Sequence, residues 1–276
     1  MSIYTIFGGR GFIGSEIVAQ LQALGHQTFV PERDDSTIFK CELGTVIYCA
    51  GNGDCKNTPF SVLEANVILL SQLLQKAKFD KLIYISSTRV YMNQEESFEE
   101  ADLTICADDS RRLFNLTKLV GEEICLKSNR PITIIRPSNV YGLALNSPLF
   151  LPAITRNAIN NKRVDMYIAK EYAKDYVSVK DVASCCIELS QLEKVERKIV
   201  NVAAGFNVSA QEIADVLEKH TGCEIVWNQI TFPRESFPET DISTLADLLP
   251  TYRPRNVLTD LEEMISEFNN VLSDSK

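Results

Sequence analysis

The stretch Phe7-Gly8-Gly9-Arg10-Gly11-Phe12-Ile13-Gly14 constrains this chain more than any other. It joins a short apolar, β-branched run, Ser2 to Phe7, to a helical stripe carrying Ile13, Ile17, Leu21 and Leu24. A strand, a glycine turn and a helix in that order form the opening of a dinucleotide-binding unit. Gly8 allows the tight turn, Gly11 lets the backbone approach a pyrophosphate, and Gly14 lets helix and strand pack closely. The helix N-terminus then offers N–H donors and a partial positive charge to an anion. After Gly25 ends the helix, Thr28 to Val30 reads as a second strand, with Glu32 at its end. An acid there accepts from both ribose hydroxyls, which favours NAD. Arg33 beside it could instead meet the 2′-phosphate of NADP. The alternative reading of the whole stretch is a tight turn with no ligand.

Further along, Thr37 to Cys41 reads as a short third strand and Thr45 to Cys49 as a fourth. Pro59 to Lys78 reads as a long helix, Lys81 to Ser86 as a strand, Asp109 to Lys127 as a helix and Ile132 to Ile135 as a strand. This alternation predicts an α/β chain, a Rossmann-type doubly wound parallel sheet covered on both faces. Residues 1–145 are expected to form that core. After Gly142 the pattern loosens into helical stretches at Leu149–Asn160, Lys180–Leu192 and Ser209–Thr221, with Lys198 to Val202 as a last strand of the main sheet. Pro233, Pro238, Pro250 and Pro254 break regular structure between 222 and 256. Residues 146–276 are therefore expected to be mixed. A small C-terminal substrate-binding lobe takes 146–175 and 205–276, and 176–204 returns to the core.

The formal charge of -9 on 276 residues, with Lys and Arg scattered singly or in pairs, argues against nucleic-acid polymers as partners. Eight cysteines without a Cys-x-x-Cys pair, and only two histidines, predict no metal site. Cys41, Cys49, Cys125, Cys185 and Cys186 fall in apolar runs and read as buried thiols of a reducing compartment. No apolar run approaches the ~18 residues of a membrane span, and the N-terminus runs directly into a strand, so a cytoplasmic location is expected.

Six segments in order carry a resemblance. They are the Gly8–Gly14 turn, Glu42-Leu43, Asn66 in a long helix, Ser86-Ser87-Thr88-Arg89-Val90-Tyr91, Arg136-Pro137-Ser138-Asn139-Val140-Tyr141-Gly142, and Lys174-Asp175-Tyr176-Val177-Ser178-Val179-Lys180-Asp181-Val182. With these the chain resembles the extended short-chain dehydrogenase/reductase family of nucleotide-sugar epimerases, dehydratases and 4-ketoreductases. The resemblance covers most of the chain. It implies cofactor contacts at Gly8, Gly11, Phe12, Ile13, Gly14, Glu32, Arg33, Glu42, Leu43, Ala50, Lys118 and Pro137, with Glu42 placed for the adenine amino group. It implies substrate contacts at Thr88, Asn139, Lys174 and Arg234, with Lys174 and Arg234 on the diphosphate. It also implies a homodimer through Pro59–Lys78 and Asp109–Lys127.

In such enzymes a Ser or Thr, a Tyr and a Lys carry the chemistry, the Tyr and Lys four apart on a helix. Ser87 matches the first and Lys118 the last, but the Tyr position is Phe114. Phe keeps the ring and loses the titratable group. Thr88 and Arg89 stand where the 4,6-dehydratases hold an Asp–Glu pair, which argues against dehydration. Phe114 leaves three readings open: a change introduced to trap a complex, a different acid such as Thr117, Ser87 or a water, or a protein that binds without turnover. The resemblance thus implies an NAD-dependent (NADP possible) nucleotide-sugar epimerase or 4-ketoreductase-like protein of deoxysugar or polysaccharide metabolism, with impaired or altered acid/base chemistry. The alternative is an inactive cofactor-binding protein acting as a sensor or scaffold.

Overall fold

β1 (Ile3–Phe7) leaves through the glycine turn into α1 (Phe12–Ala23). Gly8 sits at φ +79°, and a Cβ on Gly14 would lie 2.2 Å from the Gly8 carbonyl oxygen, so a side chain at 14 would push strand and helix apart. β2 (Gln27–Phe29), β3 (Thr45–Tyr48), α2 (Pro59–Leu63), α3 (Leu69–Lys76), β4 (Lys81–Ile85), α4 (Arg112–Lys127) and β5 (Ile132–Pro137) follow. Then come β6 (Asn139–Tyr141), α5 (Phe150–Asn160), β7 (Arg163–Met166), β8 (Ala173–Ser178), α6 (Val179–Gln191) and β9 (Lys198–Val202). The chain closes with β10 (Asn207–Ser209), α7 (Ala210–Thr221), β11 (Glu224–Trp227), α8 (Ser243–Leu248) and α9 (Val257–Asp274). This computed structural model describes residues 2–144, 147, 149–193, 195, 198–229 and 235–274.

The main sheet runs β2-β1-β3-β4-β5-β9, every neighbouring pair parallel. Its strands are apolar on both sides because both faces are covered. On one face Ile17 and Leu21 of α1 pack with Val182, Cys186 and Leu189 of α6. On the other, Leu70, Leu73 and Leu74 of α3 and Cys125 of α4 meet Val46, Tyr48, Leu82 and Tyr84. The chain order reverses between β1 and β3, the place where doubly wound sheets open a crevice for a ligand. Lys198 to Val202 joins the sheet edge beside β5, as its pattern predicts. A second apolar cluster gathers Leu151, Ile154, Val164, Met166, Ile213, Leu217, Leu261 and Phe268, with Trp227 packed against it.

The strand expected over Thr37–Cys41 is instead a 3₁₀ turn, Ser36–Phe39. Asp35 caps it by accepting from the Thr37 N–H (2.9 Å) and hydroxyl (2.5 Å), and that local bond outweighs the β-branched composition. The expected helix over 59–78 contains a π-helical turn, Glu64–Ile68. Residues 242–252, grouped by sequence with the small lobe, send Leu245 and Leu249 into the main-sheet cluster. Cys41, expected buried, is exposed; Cys125, Cys185 and Cys186 are buried. α9 had no counterpart in the expected elements.

What anchors α4 is ionic. Arg136 on β5 donates from Nε (3.0 Å) and Nη2 (2.6 Å) to the two oxygens of Glu122 on α4, both side chains 3% exposed. The Ser86 hydroxyl also donates to Glu122. Removing one member of such a pair strands the other charge in the core. We expect Glu122→Ala to cost ~3–5 kcal/mol in urea unfolding, and the double change Glu122→Leu with Arg136→Met to cost less than the single one.

Candidate active site

The glycine turn fits an anion. The N-cap residue of α1, Gly11, supplies no side-chain cap, so the N–H groups of the first turn lack a side-chain partner. A Cβ on Gly11 would meet only the Gly8 carbonyl oxygen, at 3.2 Å, and Gly11 is exposed, so the space over the turn is open. Phe12 and Ile13 are half-buried at the start of α1, and the backbone of Ala50 lies against Gly8. This arrangement suits a dinucleotide pyrophosphate.

Glu32 lies at the rim of this turn and is engaged by Arg10, whose Nη2 and Nη1 reach its oxygens at 2.5 and 3.2 Å. Arg10 is one residue that the sequence did not single out. It stands inside the glycine motif, where it could have been noticed as the one charged position. Arg33 is exposed beside Glu32. Glu42 is exposed and pairs with Lys78 at 3.2 Å. Leu43, expected at the cofactor, has its side chain fully buried among Val46, Tyr48 and Leu70. Its N–H donates to the Lys78 carbonyl (2.9 Å) and its carbonyl accepts from the Thr5 hydroxyl (2.7 Å). Pro137 is buried at the end of β5. Arg234 lies outside the described residues.

Asn66 explains the π turn. The added residue turns its amide inward, where it accepts from the Asn52 N–H (3.1 Å) and donates to the Asn52 carbonyl (3.1 Å) and the Thr117 hydroxyl (2.9 Å). One buried amide thus ties the loop after β3 to α4. Thr117, offered by sequence as a substitute acid, donates its hydroxyl proton to the Phe114 carbonyl (2.9 Å) and is 3% exposed. It is a structural hydroxyl and does not line the cavity described next.

Ser87, Thr88, Arg89, Arg111, Phe114, Ser138, Asn139, Lys174 and Phe237 line a cavity of about 170 Å³. Ser87 and Phe114 therefore share one space with Asn139 and Lys174. Ser87 Oγ accepts from the Arg89 N–H (3.1 Å), so its proton is available to a ligand. Asn139 donates to the Asp175 carbonyl (2.8 Å), and Asp175 itself is held by Ser138 (2.5 Å) and the N–H groups of Ala204 and Gly205. Lys174 lies 3.9 Å from Glu235 and over the rings of Tyr172 and Phe237; burial lowers its pKa to about 8. Lys118 is 5% exposed and sits behind Phe114, 5.7 Å from its ring centroid, with Nζ donating to the Ile85 carbonyl at 2.8 Å. It does not line the cavity. Phe114 thus presents a phenyl ring, with no titratable group, to the cavity.

The model of the NAD dependent epimerase/dehydratase family matches residues 4–203. The chain belongs to that family. Its chain is 25% identical over 288 residues to GDP-6-deoxy-D-talose 4-dehydrogenase of Aggregatibacter actinomycetemcomitans, covering 94% of this chain and 95% of the relative. It is 24% identical to putative GDP-L-fucose synthase 2 of Arabidopsis thaliana, over 81% of this chain and 78% of that protein. Among solved structures, MoeE5 in complex with UDP-glucose and NAD has the same fold, with a TM-score of 0.85 at 18% identity, covering 98% and 99% of the two chains. The relatives are nucleotide-sugar enzymes, and NAD is the cofactor of the family.

Lys118 gives the site a stability signature. Burial lowers its pKa from the usual 10.5 to about 8, against the smaller opposing pull of Glu122. Between those values the unfolded chain binds the proton more readily, so stability rises with pH through that window and carries the full penalty below it. Relative to Lys118→Met, the wild type should gain roughly 3 kcal/mol of unfolding free energy between pH 7.5 and 10.5. Parallel slopes for the two proteins would show a Lys118 that keeps its proton throughout.

Proposed function

We propose that this chain holds NAD at the Gly8–Gly14 turn and a nucleotide sugar in the cavity between Ser87 and Lys174. It acts on the sugar as an epimerase or 4-ketoreductase of deoxysugar or polysaccharide metabolism. The observation that carries the reading is the shared cavity: Ser87 and Phe114, the residues at the reacting carbon, open onto the same space as Asn139 and Lys174. Glu32 favours NAD over NADP, since its carboxylate repels a 2′-phosphate; Arg10 holds that carboxylate at the turn. Eight free thiols suit a reducing cytoplasm.

NAD, when bound, supplies hydride acceptance or donation at the sugar carbon. The chain's part is orientation and proton handling. Ser87 donates its hydroxyl to the reacting oxygen. Asn139 contacts the substrate, and Lys174 holds the diphosphate as a point charge without the two-pronged grip of an arginine. Thr88 lies at the sugar. Lys118 holds the ribose, and Phe114 separates it from the reacting oxygen, so proton transfer lacks its usual carrier.

A missing acid/base group costs ~10²–10⁴ in rate. Phe114→Tyr should therefore raise turnover of a 4-keto or 4-hydroxy nucleotide sugar by tens-fold or more, followed as NADH absorbance at matched cofactor saturation. A rate that stays level or falls indicates another acid in place. Two silent proteins that still hold NAD would mark the chain as a binder.

We also propose a homodimer through α2 and α4. Phe60 is 86% exposed, and Leu63, Leu116 and Val120 are exposed beside it on the two helices. Uncovered apolar side chains on neighbouring helices are a surface that a second copy can bury. Sedimentation should give twice the 31.0 kDa chain mass, and Phe60→Glu with Val120→Lys should return the monomer. A wild-type monomer at micromolar concentration counts against the dimer.

A further inference from the structure

Arg111 is the cation of the cavity that the resemblance does not explain. It precedes Phe114 by one helical turn, and its guanidinium lies over the Phe114 ring, 4.7 Å from the centroid. The cavity is lined by three cations, Arg89, Arg111 and Lys174, and two carboxylates face them, Asp109 and Glu235. Both carboxylates pair with Arg89, each at 2.8 Å, and Glu235 also lies 3.9 Å from Lys174. Asp109 Oδ1, which holds Arg89, also accepts the backbone N–H of Arg111 at 2.8 Å, so the two arginines are laid out from one oxygen. Asp109 accepts from Asn115 too (2.9 Å), and Glu235 from Tyr172 (3.1 Å). Among the described residues no carboxylate pairs with the Arg111 guanidinium. The cavity thus carries, on an exposed side chain at its edge, one cation with no ion-pair partner among the described residues, in a chain whose net charge is -9.

Position says which part of a ligand meets that charge. Along α4, Lys118 takes the ribose of the nicotinamide, Phe114 faces the reacting carbon, and Arg111 lies one turn further on. Lys174 and Asn139 approach from β8 and β6, Lys174 taking the diphosphate. An anion at Arg111 therefore belongs to the sugar. We propose that Arg111 selects a nucleotide sugar bearing a carboxylate, a uronic acid, whose charge it takes in a two-pronged hydrogen bond over the Phe114 ring. This rests on the nucleotide-sugar reading of the cavity. It makes Arg111 a specificity residue, and the phenyl ring a platform that keeps the guanidinium flat and aimed.

Two ligand pairs that differ only at C6 test it by calorimetry on the NAD-loaded protein: UDP-glucuronic acid against UDP-glucose, and GDP-mannuronic acid against GDP-mannose. At least one uronate should bind about ten- to a hundredfold tighter than its neutral partner, the worth of one charge-assisted hydrogen bond. Arg111→Gln should erase that difference while leaving the neutral sugar, NAD affinity and melting temperature unchanged, and Arg111→Lys should restore part of it. Equal affinity within every pair overturns the proposal and leaves the nucleotide-sugar reading standing. So does an Arg111→Gln loss shared equally by both members and by UDP or GDP alone, which would put Arg111 on the diphosphate. No binding by any of the four, with NAD still held, overturns the nucleotide-sugar reading itself and the uronate with it.

Discussion

The buried Glu122–Arg136 pair is the constraint on which the rest of the site depends. Two charges at 3% exposure repay their desolvation only when every oxygen and N–H is met. Here they are met from several elements. Ser86 and Arg136 satisfy Glu122, while Arg136 Nη1 reaches the Tyr91 hydroxyl (2.6 Å) and the Glu99 carbonyl (3.3 Å). Tyr91 donates to Asn201 (2.9 Å), and the Glu99 carboxylate accepts the Asn201 N–H (2.8 Å) and the Thr244 hydroxyl (3.0 Å). A single polar network therefore fixes α4 against β4, β5 and β9 at once. Such a network has little freedom to slide, because any shift leaves a charge unpaired in the core.

That fixity sets the chemistry, because α4 carries it. Arg111 precedes the helix, and Phe114, Lys118 and Glu122 recur along one side of it at helical spacing. Glu122 is locked into the sheet, so Lys118 one turn earlier reaches the Ile85 carbonyl, Phe114 reaches the cavity and Arg111 overhangs it. The Asn66 amide secures the same helix through Thr117. Lys118 keeps its buried seat and its bond to the Ile85 carbonyl.

Much of this was legible in the sequence because it is local. The glycine turn, the alternation of strands and helices, and the return of Lys198–Val202 to the sheet follow from side-chain periodicity and from turn chemistry. Ser87, Thr88, Phe114, Asn139 and Lys174 were named from motifs and meet at one cavity. What was not legible depends on partners far away. The Leu43 N–H is bonded to the Lys78 carbonyl and its side chain lies in the core, neither of which its neighbours in sequence announce. Thr117 reads as a spare acid until Asn66 and Phe114 take its hydroxyl. The β-branched run at Thr37 became a turn through a cap at Asp35. Arg111 looked like one of a scattered pair of basic residues, since nothing in the order of residues says that Asp109 is committed to Arg89.

The distribution of charge explains how an acidic chain can hold two anionic ligands. At -9 the surface repels dinucleotides and nucleotide sugars at long range, so attraction has to be supplied at contact. At one end of the crevice it comes from backbone: the N–H groups at the start of α1, with no side-chain cap to compete. At the other it comes from side chains held partly out of water, where a charge is worth more than at the surface. Glu235 tempers that second site by tying up Arg89 and approaching Lys174. Arg111 forms no ion pair among the described residues; its side chain stays exposed beside the half-buried Phe114 ring, within reach of the charges of Asp109 and Glu235. On the proposed reading the crevice reads charge twice, through helix geometry at the cofactor and through the Arg111 guanidinium at the sugar.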